Sequence, residues 1–335
     1  MKFTLKLLSI VLTNLLLFLL VIAMTEGIFR IAGIPYSKVK YIPDENSFAR
    51  FDQELGWSYI PNKSSIHNTE HIAKPVYFEE NGFRAPYPGF EFDYSKPSIL
   101  FIGDSFTMGH GLTYEESFVG KFSATIKGTP FQAVNLGVQG YGSDQALLAL
   151  KRHLHKFNTK AVVYTYIEDH LLRNGNYDRA MLVPTAEFLG TKPQFALTVG
   201  KKLYLSKKPL LYKDYFRSYL IDFLKMRVGK LTGSFPPHPA DLTRAIIYEM
   251  KKFSIEHDAD FVVLNWRQVH NNYDDLCRDL VNVDVIDTLE GAPDGWKEMV
   301  LYGGIHPNAE AGDHAARLLF NYFRAKDLIR EDSAR

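Results

Sequence analysis

The feature that most constrains the fold is an alternation of short apolar runs with amphipathic segments, which begins near residue 97. The apolar runs have the length of strands and lie at 98–102, 131–136, 160–167, 261–265 and 283–286. Between and after them, apolar residues recur at helical spacings of three and four over 115–127, 144–157, 240–257 and 308–325. Such a pattern is typical of a parallel sheet with helices on both faces. It predicts an α/β domain over 97–330, with a ligand site at the carboxyl ends of the strands.

Two stretches depart from this alternation. Residues 31–96 are rich in proline, aromatic residues and turn signals, which predicts short strands in a β-rich extension or stalk. Residues 172–238 are too long for a plain crossover between strands. A hairpin is expected within 193–205 and a basic helix within 211–230. We expect this insertion to cover the strand ends, where substrates are commonly recognised.

The N-terminal segment 1–30 is apolar enough to cross a membrane. No charged residue lies between Lys6 and Glu26, and the apolar run 7–24 is nearly long enough to span the hydrocarbon core. Because Lys2 and Lys6 precede the run, the positive-inside bias predicts a single pass with the N-terminus in the cytoplasm. The remainder would then lie outside the cytoplasmic membrane, in the periplasm or extracellular space. An uncleaved signal anchor is preferred, and a cleaved signal peptide and a buried core helix are the alternatives.

Charge and cysteine content exclude several functional classes. The 39 basic and 38 acidic residues give a net charge of +1, which argues against a nucleic-acid partner. Without the apolar segment the chain stays close to neutral, which fits an uncharged ester or an acylated sugar better than a polyanion. Cys277 is the only cysteine, so an intrachain disulfide and a multi-cysteine zinc site are both excluded. The spacing of the histidines suggests no metal site, and no cofactor is implied.

Four polar blocks lie at predicted strand ends or before the last helix. They are Gly103-Asp104-Ser105-Phe106-Thr107, Asn135-Leu136-Gly137-Val138-Gln139-Gly140, Glu168-Asp169-His170 with Arg173-Asn174, and Gly303-Gly304-Ile305-His306-Pro307-Asn308. A serine at a strand end, beside free backbone N–H groups, has the placement that a nucleophile needs. Taken singly, each block also fits a structural role, such as a capped turn, a glycine turn, a helix start or a structural histidine.

Together and in this order, the blocks resemble the SGNH (GDSL-type) hydrolases, and the N-terminal segment resembles that of membrane-anchored bacterial members. The resemblance covers about 97–325, roughly two thirds of the chain. It implies a three-layer α/β/α sandwich with a flavodoxin-like parallel sheet. It also implies that Ser105 is the nucleophile and His306 the general base, and that the N–H groups of Ser105 and Gly137 face the oxyanion. Asp104 would have a structural role next to the nucleophile.

Two positions depart from the family pattern. Gly303 stands where the family usually has the aspartate that orients the histidine. Either a carboxylate comes from elsewhere in the chain, or a backbone carbonyl holds the ring, or the activity is weak. Glu168 stands where the family has an asparagine that donates to the oxyanion, and an ionised carboxylate there would repel the developing charge. The missing hydrogen bond or orienting contact is then sought among the neighbouring polar residues Gln139, Glu168, Asp169, His170 and Asn174.

The sequence therefore predicts a membrane-anchored, extracytoplasmic serine esterase that acts on acyl esters, by preference acetyl esters, through an acyl-enzyme. One alternative is an O-acyltransferase, such as an O-acetyltransferase, that modifies an exported polysaccharide or cell-wall glycan. The other is a catalytically degenerate glycan-binding or scaffold module. The expected partners are an acyl ester or acylated glycan and the membrane.

Overall fold

The computed structural model describes residues 2–36, 40–41, 48–68, 73–183, 187–267, 276–301 and 304–329. Its helices are α1 (Lys2–Ala32), α2 (Ser105–Met108), α3 (Phe118–Thr125), α4 (Ser143–His153), α5 (Asp169–Asn174), α6 (Tyr219–Thr232), α7 (Ala240–Ile255) and α8 (Ala309–Ala325). Its strands are β1 (Lys40–Tyr41), β2 (Ala49–Asp52), β3 (Gly56–Tyr59), β4 (Ser64–Asn68), β5 (Ala73–Phe78), β6 (Arg84–Ala85), β7 (Pro97–Ile102), β8 (Gln132–Asn135), β9 (Asn158–Tyr166), β10 (Glu187–Phe188), β11 (Gln194–Leu197), β12 (Leu203–Lys207), β13 (Asp260–Asn265) and β14 (Asp284–Asp287).

An eight-stranded sheet forms the centre of the domain, in the order β14-β13-β9-β7-β8-β6-β5-β4. The strands from β14 to β8 are parallel to their neighbours, and β6, β5 and β4 continue the sheet in antiparallel fashion. In the middle of the sheet, Ile99 of β7 is paired with Ala133 on one side and Ala161 on the other. The five predicted strands are all present, and the α/β class is confirmed.

Helices cover both faces of this sheet. The buried residues of α3 and α8 share one apolar core, and those of α4 and α7 share the other. Successive strand residues alternate between the cores: Phe101 belongs to the first, while its neighbours Leu100 and Ile102 belong to the second. This alternation explains why β7 is apolar from Ile99 to Ile102, because each of its faces is covered. The three layers match the predicted sandwich.

The region predicted as a β-rich extension or stalk, 31–96, contributes strands to the main sheet. Its strand β6 pairs with β8 through Arg84 and Asn135, and β5 and β4 follow outward. Strands β2 and β3 form an antiparallel pair of their own. The physical reason is that β8 would otherwise leave an unpaired edge, and β6 provides the backbone partner.

The insertion 172–238 contains both elements that its pattern predicts. Strands β11 and β12 form an antiparallel hairpin, and α6 lies within the last third of the insertion. The N-terminal helix α1 is long and apolar: the most apolar window of 18 residues within Leu5–Ala32 has a mean hydropathy of 2.7, and none of that window is buried against the domain. The alternative of a buried core helix is therefore wrong.

The chain order places a topological switch point at the end of β7. The connection from β7 to β8 runs through α3 on one face, and the connection from β8 to β9 runs through α4 on the other. Loops that leave β7 and its neighbours thus diverge to opposite faces, which opens a space at their carboxyl ends.

Candidate active site

Ser105 begins the single-turn helix α2 directly beyond β7. Gly103 has a φ of 152°, and a Cβ there would clash with Oγ1 of Thr107, so the tight exit from the strand requires glycine. Asp104 caps the turn, since its carboxylate accepts a hydrogen bond from the N–H of Phe106 at 2.9 Å. Ser105 itself is buried, with 3% of its surface exposed.

His306 is brought to Ser105 from the other end of the chain. Its Nε2 lies 2.9 Å from the Oγ of Ser105. The backbone on both sides of the histidine is fixed: the N–H of Leu301 donates to the carbonyl of His306 at 2.7 Å, and the N–H of Asn308 donates to that of Met299 at 3.0 Å. Asn308 also caps α8. The structure thus joins the predicted nucleophile and base at hydrogen-bond distance.

The environment keeps His306 in its neutral form. Burial lowers the pKa of His306 to about 4, against the opposing effect of the Asp104 carboxylate, and Arg173 and His67 lower it further. Near pH 7 the ring is therefore unprotonated, which is the state in which Nε2 can accept the proton of Ser105.

Two further histidines, which the sequence did not indicate as site residues, line the far side of His306. The ring of His110 stacks on that of His306, with centroids 3.9 Å apart and planes 20° apart. His67 of β4 meets His110 edge-on at 4.2 Å, and its Nδ1 accepts the N–H of Gly111 at 3.3 Å. Burial is the first cause that lowers the pKa of His110 to about 2 and that of His67 to about 4, so both rings are neutral at pH 7.

The loop that carries His110 is held by an arginine of the neighbouring strand β6. The buried guanidinium of Arg84 donates to the carbonyl of Leu112 at 2.8 Å and to that of Met108 at 3.4 Å. Strands β4 and β6, which the sequence predicts as part of an extension, therefore support the site. No local pattern in the sequence indicates this stack, because His67 reaches it only through the pairing of distant strands.

Asp104 lies at the centre of a buried polar network behind Ser105. Its Oδ2 accepts a hydrogen bond from Nη1 of Arg173 at 2.6 Å, and Nε2 of His170 lies 3.3 Å away. His170 is itself fixed by the hydroxyl of Tyr164, 2.7 Å from its Nδ1. Burial alone would raise the pKa of Asp104, but Arg173 and His170 outweigh it and hold that pKa well below its usual range. Asp104 therefore remains ionised and orders the turn, as a structural role next to the nucleophile requires.

The predicted oxyanion donor Gly137 needs a correction. Its N–H donates to Oδ1 of Asn135 at 3.0 Å. A Cβ at Gly137 would lie 2.6 Å from Cβ of Thr107, so the glycine is required because β8 approaches α2 closely. The amide of Gly137 is thus used internally, and the glycine serves packing.

The amides near Gly137 in the same loop differ in whether they donate to the protein. Within the described parts of the chain, the N–H groups of residues 137, 138, 139, 141 and 142 all donate to protein acceptors. The exception is Gly140, which has a φ of 80°: within those parts of the chain, its N–H donates to no protein acceptor. Its loop approaches the active site, because the side chain of Gln139 acts to raise the pKa of His110, against the stronger effect of burial.

The remaining predicted site residues fall into two groups. His170 and Asn174 are wrong as oxyanion donors. Both nitrogens of His170 face Tyr164 and Asp104, and the amide group of Asn174 donates to Ser143 at 3.0 Å and Thr243 at 2.9 Å.

Glu168 and Asp169 follow β9 at the same sheet edge as Ser105. Asp169 lies 3.4 Å from Nη2 of Arg173, and Glu168 begins the turn into α5. Gly303, at the position where the family has its aspartate, lies outside the described residues. Within the residues that are described, no carboxylate accepts a hydrogen bond from Nδ1 of His306, and no cluster of histidine, cysteine and acidic side chains is arranged to hold a metal ion.

Comparisons with known proteins return similarity at the level of solved structures. No protein-family model matches the chain, and no curated protein sequence matches it. The psychrotrophic esterase EstA from Pseudoalteromonas sp., in a structure inhibited by monoethylphosphonate, aligns with 13% identity and a TM-score of 0.41 over 68% of this chain and 97% of its own. A member of the lipolytic protein G-D-S-L family from Veillonella parvula aligns with 13% identity and a TM-score of 0.39, over 68% of this chain and 98% of its own. The lipase/acylhydrolase from Enterococcus faecalis aligns with 11% identity and a TM-score of 0.42, over 71% of this chain and 100% of its own. At these identities and TM-scores, function has to be inferred from the geometry of the site.

Proposed function

We propose that this protein is a serine esterase of SGNH type that cleaves acyl esters through an acyl-enzyme on Ser105. The observation that carries the proposal is the distance of 2.9 Å between Oγ of Ser105 and Nε2 of a neutral His306, at the crevice end of β7. A buried serine in contact with an unprotonated imidazole has the arrangement of an activated nucleophile.

The steps follow from this geometry. Oγ of Ser105 attacks the ester carbonyl while its proton passes to Nε2 of His306. The oxyanion that forms is stabilised by backbone N–H groups, for which we propose those of Ser105 and Gly140. His306 then returns the proton to the leaving alcohol as the C–O bond breaks, which leaves the acyl group on Ser105. A water molecule, deprotonated by His306, then attacks the acyl group on Ser105. The acid is released in a second passage through the same sequence of oxyanion and protonated His306.

His306 becomes a cation in both passages, and several groups support that cation. The carboxylates of Asp104 and Asp169 both favour the protonated ring. The face of the neutral His110 ring lies against it at 3.9 Å, and an aromatic face attracts a cation. These contacts take part of the role that a directly bonded aspartate has in a triad.

We further propose that α1 anchors the enzyme in the cytoplasmic membrane, with the domain on the outer side. Support comes from the length and hydropathy of Leu5–Ala32, from the exposure of its side chains, and from Lys2 and Lys6 at its N-terminal end. We propose an uncharged ester, by preference an acetyl ester, as the class of substrate. The near-neutral charge of the domain supports the uncharged class, because it offers no excess charge for an ionic acyl group.

The test is turnover of p-nitrophenyl acetate by the full chain in detergent micelles. Ser105→Ala and His306→Ala should each lower kcat/KM by about 10⁴-fold or more. Ser206→Ala, an exposed serine on β12, is the matched control and should leave the rate unchanged. Equal turnover by wild type and Ser105→Ala would refute the mechanism. Product analysis in the presence of an added sugar then separates hydrolysis, which releases acetate, from transfer to a sugar hydroxyl.

A further inference from the structure

Helix α6 is joined at its first turn to the end of α1. The carboxylate of Glu26 accepts hydrogen bonds from the hydroxyl of Ser218 at 2.9 Å and from the N–H groups of Tyr219 at 3.1 Å and Leu220 at 2.9 Å. A carboxylate at the N-terminus of a helix satisfies its free N–H groups and suits its dipole. Glu26 therefore holds the start of α6 in place.

Aromatic and cationic contacts strengthen this junction. The rings of Phe29 and Phe223 meet edge to face, with centroids 5.0 Å apart. Arg30 donates to the backbone carbonyl of Arg217, and its guanidinium lies 5.0 Å from the ring of Tyr219. The last turns of α1 and the first turns of α6 are thus packed together.

The junction lies at the level where α1 would leave a membrane. The apolar run ends at Met24, and Glu26 follows two residues later, which is about 3 Å of helix rise. If the run 7–24 fills the hydrocarbon core, the first turn of α6 is held at the surface of the bilayer.

The sides of α6 have different surroundings. Asp222 and Gly229 are buried on the domain side, where the carboxylate of Asp222 accepts the hydroxyl of Tyr36 at 3.0 Å and Gly229 lies against Phe235. Phe223 faces α1. The remaining side exposes an apolar stripe with spacings of three and four, formed by Ile221 (52% exposed), Leu224 (49%), Val228 (55%) and Leu231 (87%).

Cationic side chains border this stripe. Lys225 and Arg227 flank it within the same turns, and Lys230 follows. Three residues of the stripe, Ile221, Leu224 and Val228, also line a cavity of about 540 Å³. The wall of this cavity is mostly apolar, and Lys225 is among its lining residues. Long basic side chains beside an apolar stripe can place their charge at the phosphate level while the stripe contacts acyl chains.

We propose that α6 lies in the membrane–water interface and inserts its apolar stripe between lipid acyl chains, with Lys225 and Arg227 at the phosphates. The occupant of the stripe is the bilayer into which α1 inserts, and the inference rests on the proposed anchoring by α1. Two elements would then fix the domain on the membrane: α1 crosses the bilayer and α6 lies along its surface. Together they restrict the directions in which the crevice at β7 can face.

The experiment uses the full chain in nanodiscs of phosphatidylcholine and phosphatidylglycerol. In a Cys277→Ser background, single cysteines replace Leu16 in α1, Val228 in the stripe and Val199 in the exposed hairpin turn, and each carries an environment-sensitive fluorophore. Quenching by doxyl-labelled lipids reports contact with acyl chains. The label at Val228 should be quenched about as strongly as that at Leu16, and the label at Val199 should not be quenched.

The outcomes separate the two proposals. If the label at Leu16 is quenched and that at Val228 behaves like Val199, α6 does not contact lipid, while the anchor stands. If the label at Val228 is shielded from water without being quenched by lipid, a protein covers the stripe and the inference is wrong. If the label at Leu16 is not quenched, the anchoring itself fails.

A charge-reversed variant tests the basic residues separately. Lys225→Glu with Arg227→Glu should weaken quenching at Val228 in discs that contain phosphatidylglycerol, because anionic lipid attracts the two cations. In discs of phosphatidylcholine alone, the same variant should show a smaller loss of quenching at Val228. Equal quenching of the variant and its parent in both discs would overturn the role given to these two residues.

Discussion

The buried ion pair behind the nucleophile allows a quantitative prediction. Asp104 is fully buried and accepts hydrogen bonds from Arg173 at 2.6 Å and from the N–H of Phe106 at 2.9 Å. In Asp104→Asn the amide oxygen can keep only one of these bonds, and the amide NH₂ then faces another donor. Arg173, whose side chain is 7% exposed, keeps its hydrogen bond to the carbonyl of Tyr141 at 2.7 Å and its longer contact with the carboxylate of Asp169 at 3.4 Å.

Removing one partner of such a pair leaves a buried charge without full compensation. We expect Asp104→Asn to lower the free energy of unfolding by about 3–5 kcal/mol. The assay is urea unfolding of the full chain in a mild detergent, followed by tryptophan fluorescence at pH 7. The matched control is Asp241→Asn, which removes a solvent-exposed carboxylate paired with Arg244 and should leave the unfolding curve nearly unchanged.

The pH dependence of the same variant gives a second reading. The pKa of Asp104 lies below its unfolded value, so its contribution to stability is present above about pH 4 and is lost as the pH falls through the folded pKa. The gap between wild type and Asp104→Asn should therefore persist from about pH 5 to 8 and narrow in acid. A loss below about 1 kcal/mol at pH 7, or a gap that widens in acid, would refute the reasoning.

Three further predictions concern the site itself. His110→Ala should lower kcat by about 2- to 30-fold with little change in KM, because the cation on His306 loses an aromatic face. His110→Phe should retain most of the rate. Equal losses in both variants would show that the aromatic face does not stabilise the cation. The kcat/KM of the wild type should stay level from about pH 8 to 5 and fall by half near pH 4, where His306 is protonated and can no longer accept a proton. A fall of kcat/KM by half near pH 6.5 instead would contradict the burial of that ring. Gly137→Ala should lower the free energy of unfolding by about 1–3 kcal/mol in thermal unfolding, because its Cβ would overlap Thr107, and a neutral effect would show that the loop yields easily.

The framework of the domain could be predicted from the sequence because its signals are local. The apolar runs at 98–102 and 160–167 became β7 and β9, and the helical spacing over 308–325 became α8. The pairing of Ser105 with His306 followed from a resemblance that places both at one edge of a parallel sheet.

What the sequence did not predict depends on contacts between distant segments. His67 reaches His110 only because β4, β5 and β6 continue the sheet beyond β8. The hydrogen bond from the Gly137 amide to Asn135 is local, but the Asn135 side chain is oriented by a distant contact, since its amide group donates to the carbonyl of Thr107 at 2.8 Å. Asn174 resembles a donor in the sequence, yet α5 directs it towards Ser143 and Thr243.

The most direct test of the account is covalent labelling of Ser105. The full chain is treated with a fluorophosphonate probe, which modifies activated serines, and the adduct is mapped by peptide mass spectrometry in wild type, His306→Ala and the control Ser206→Ala. We predict one adduct, on Ser105, that forms readily in wild type and Ser206→Ala and that is lost in His306→Ala. Absence of the adduct in the wild type, or equal labelling of Ser105 without His306, would contradict the claim that these two residues form a catalytic pair.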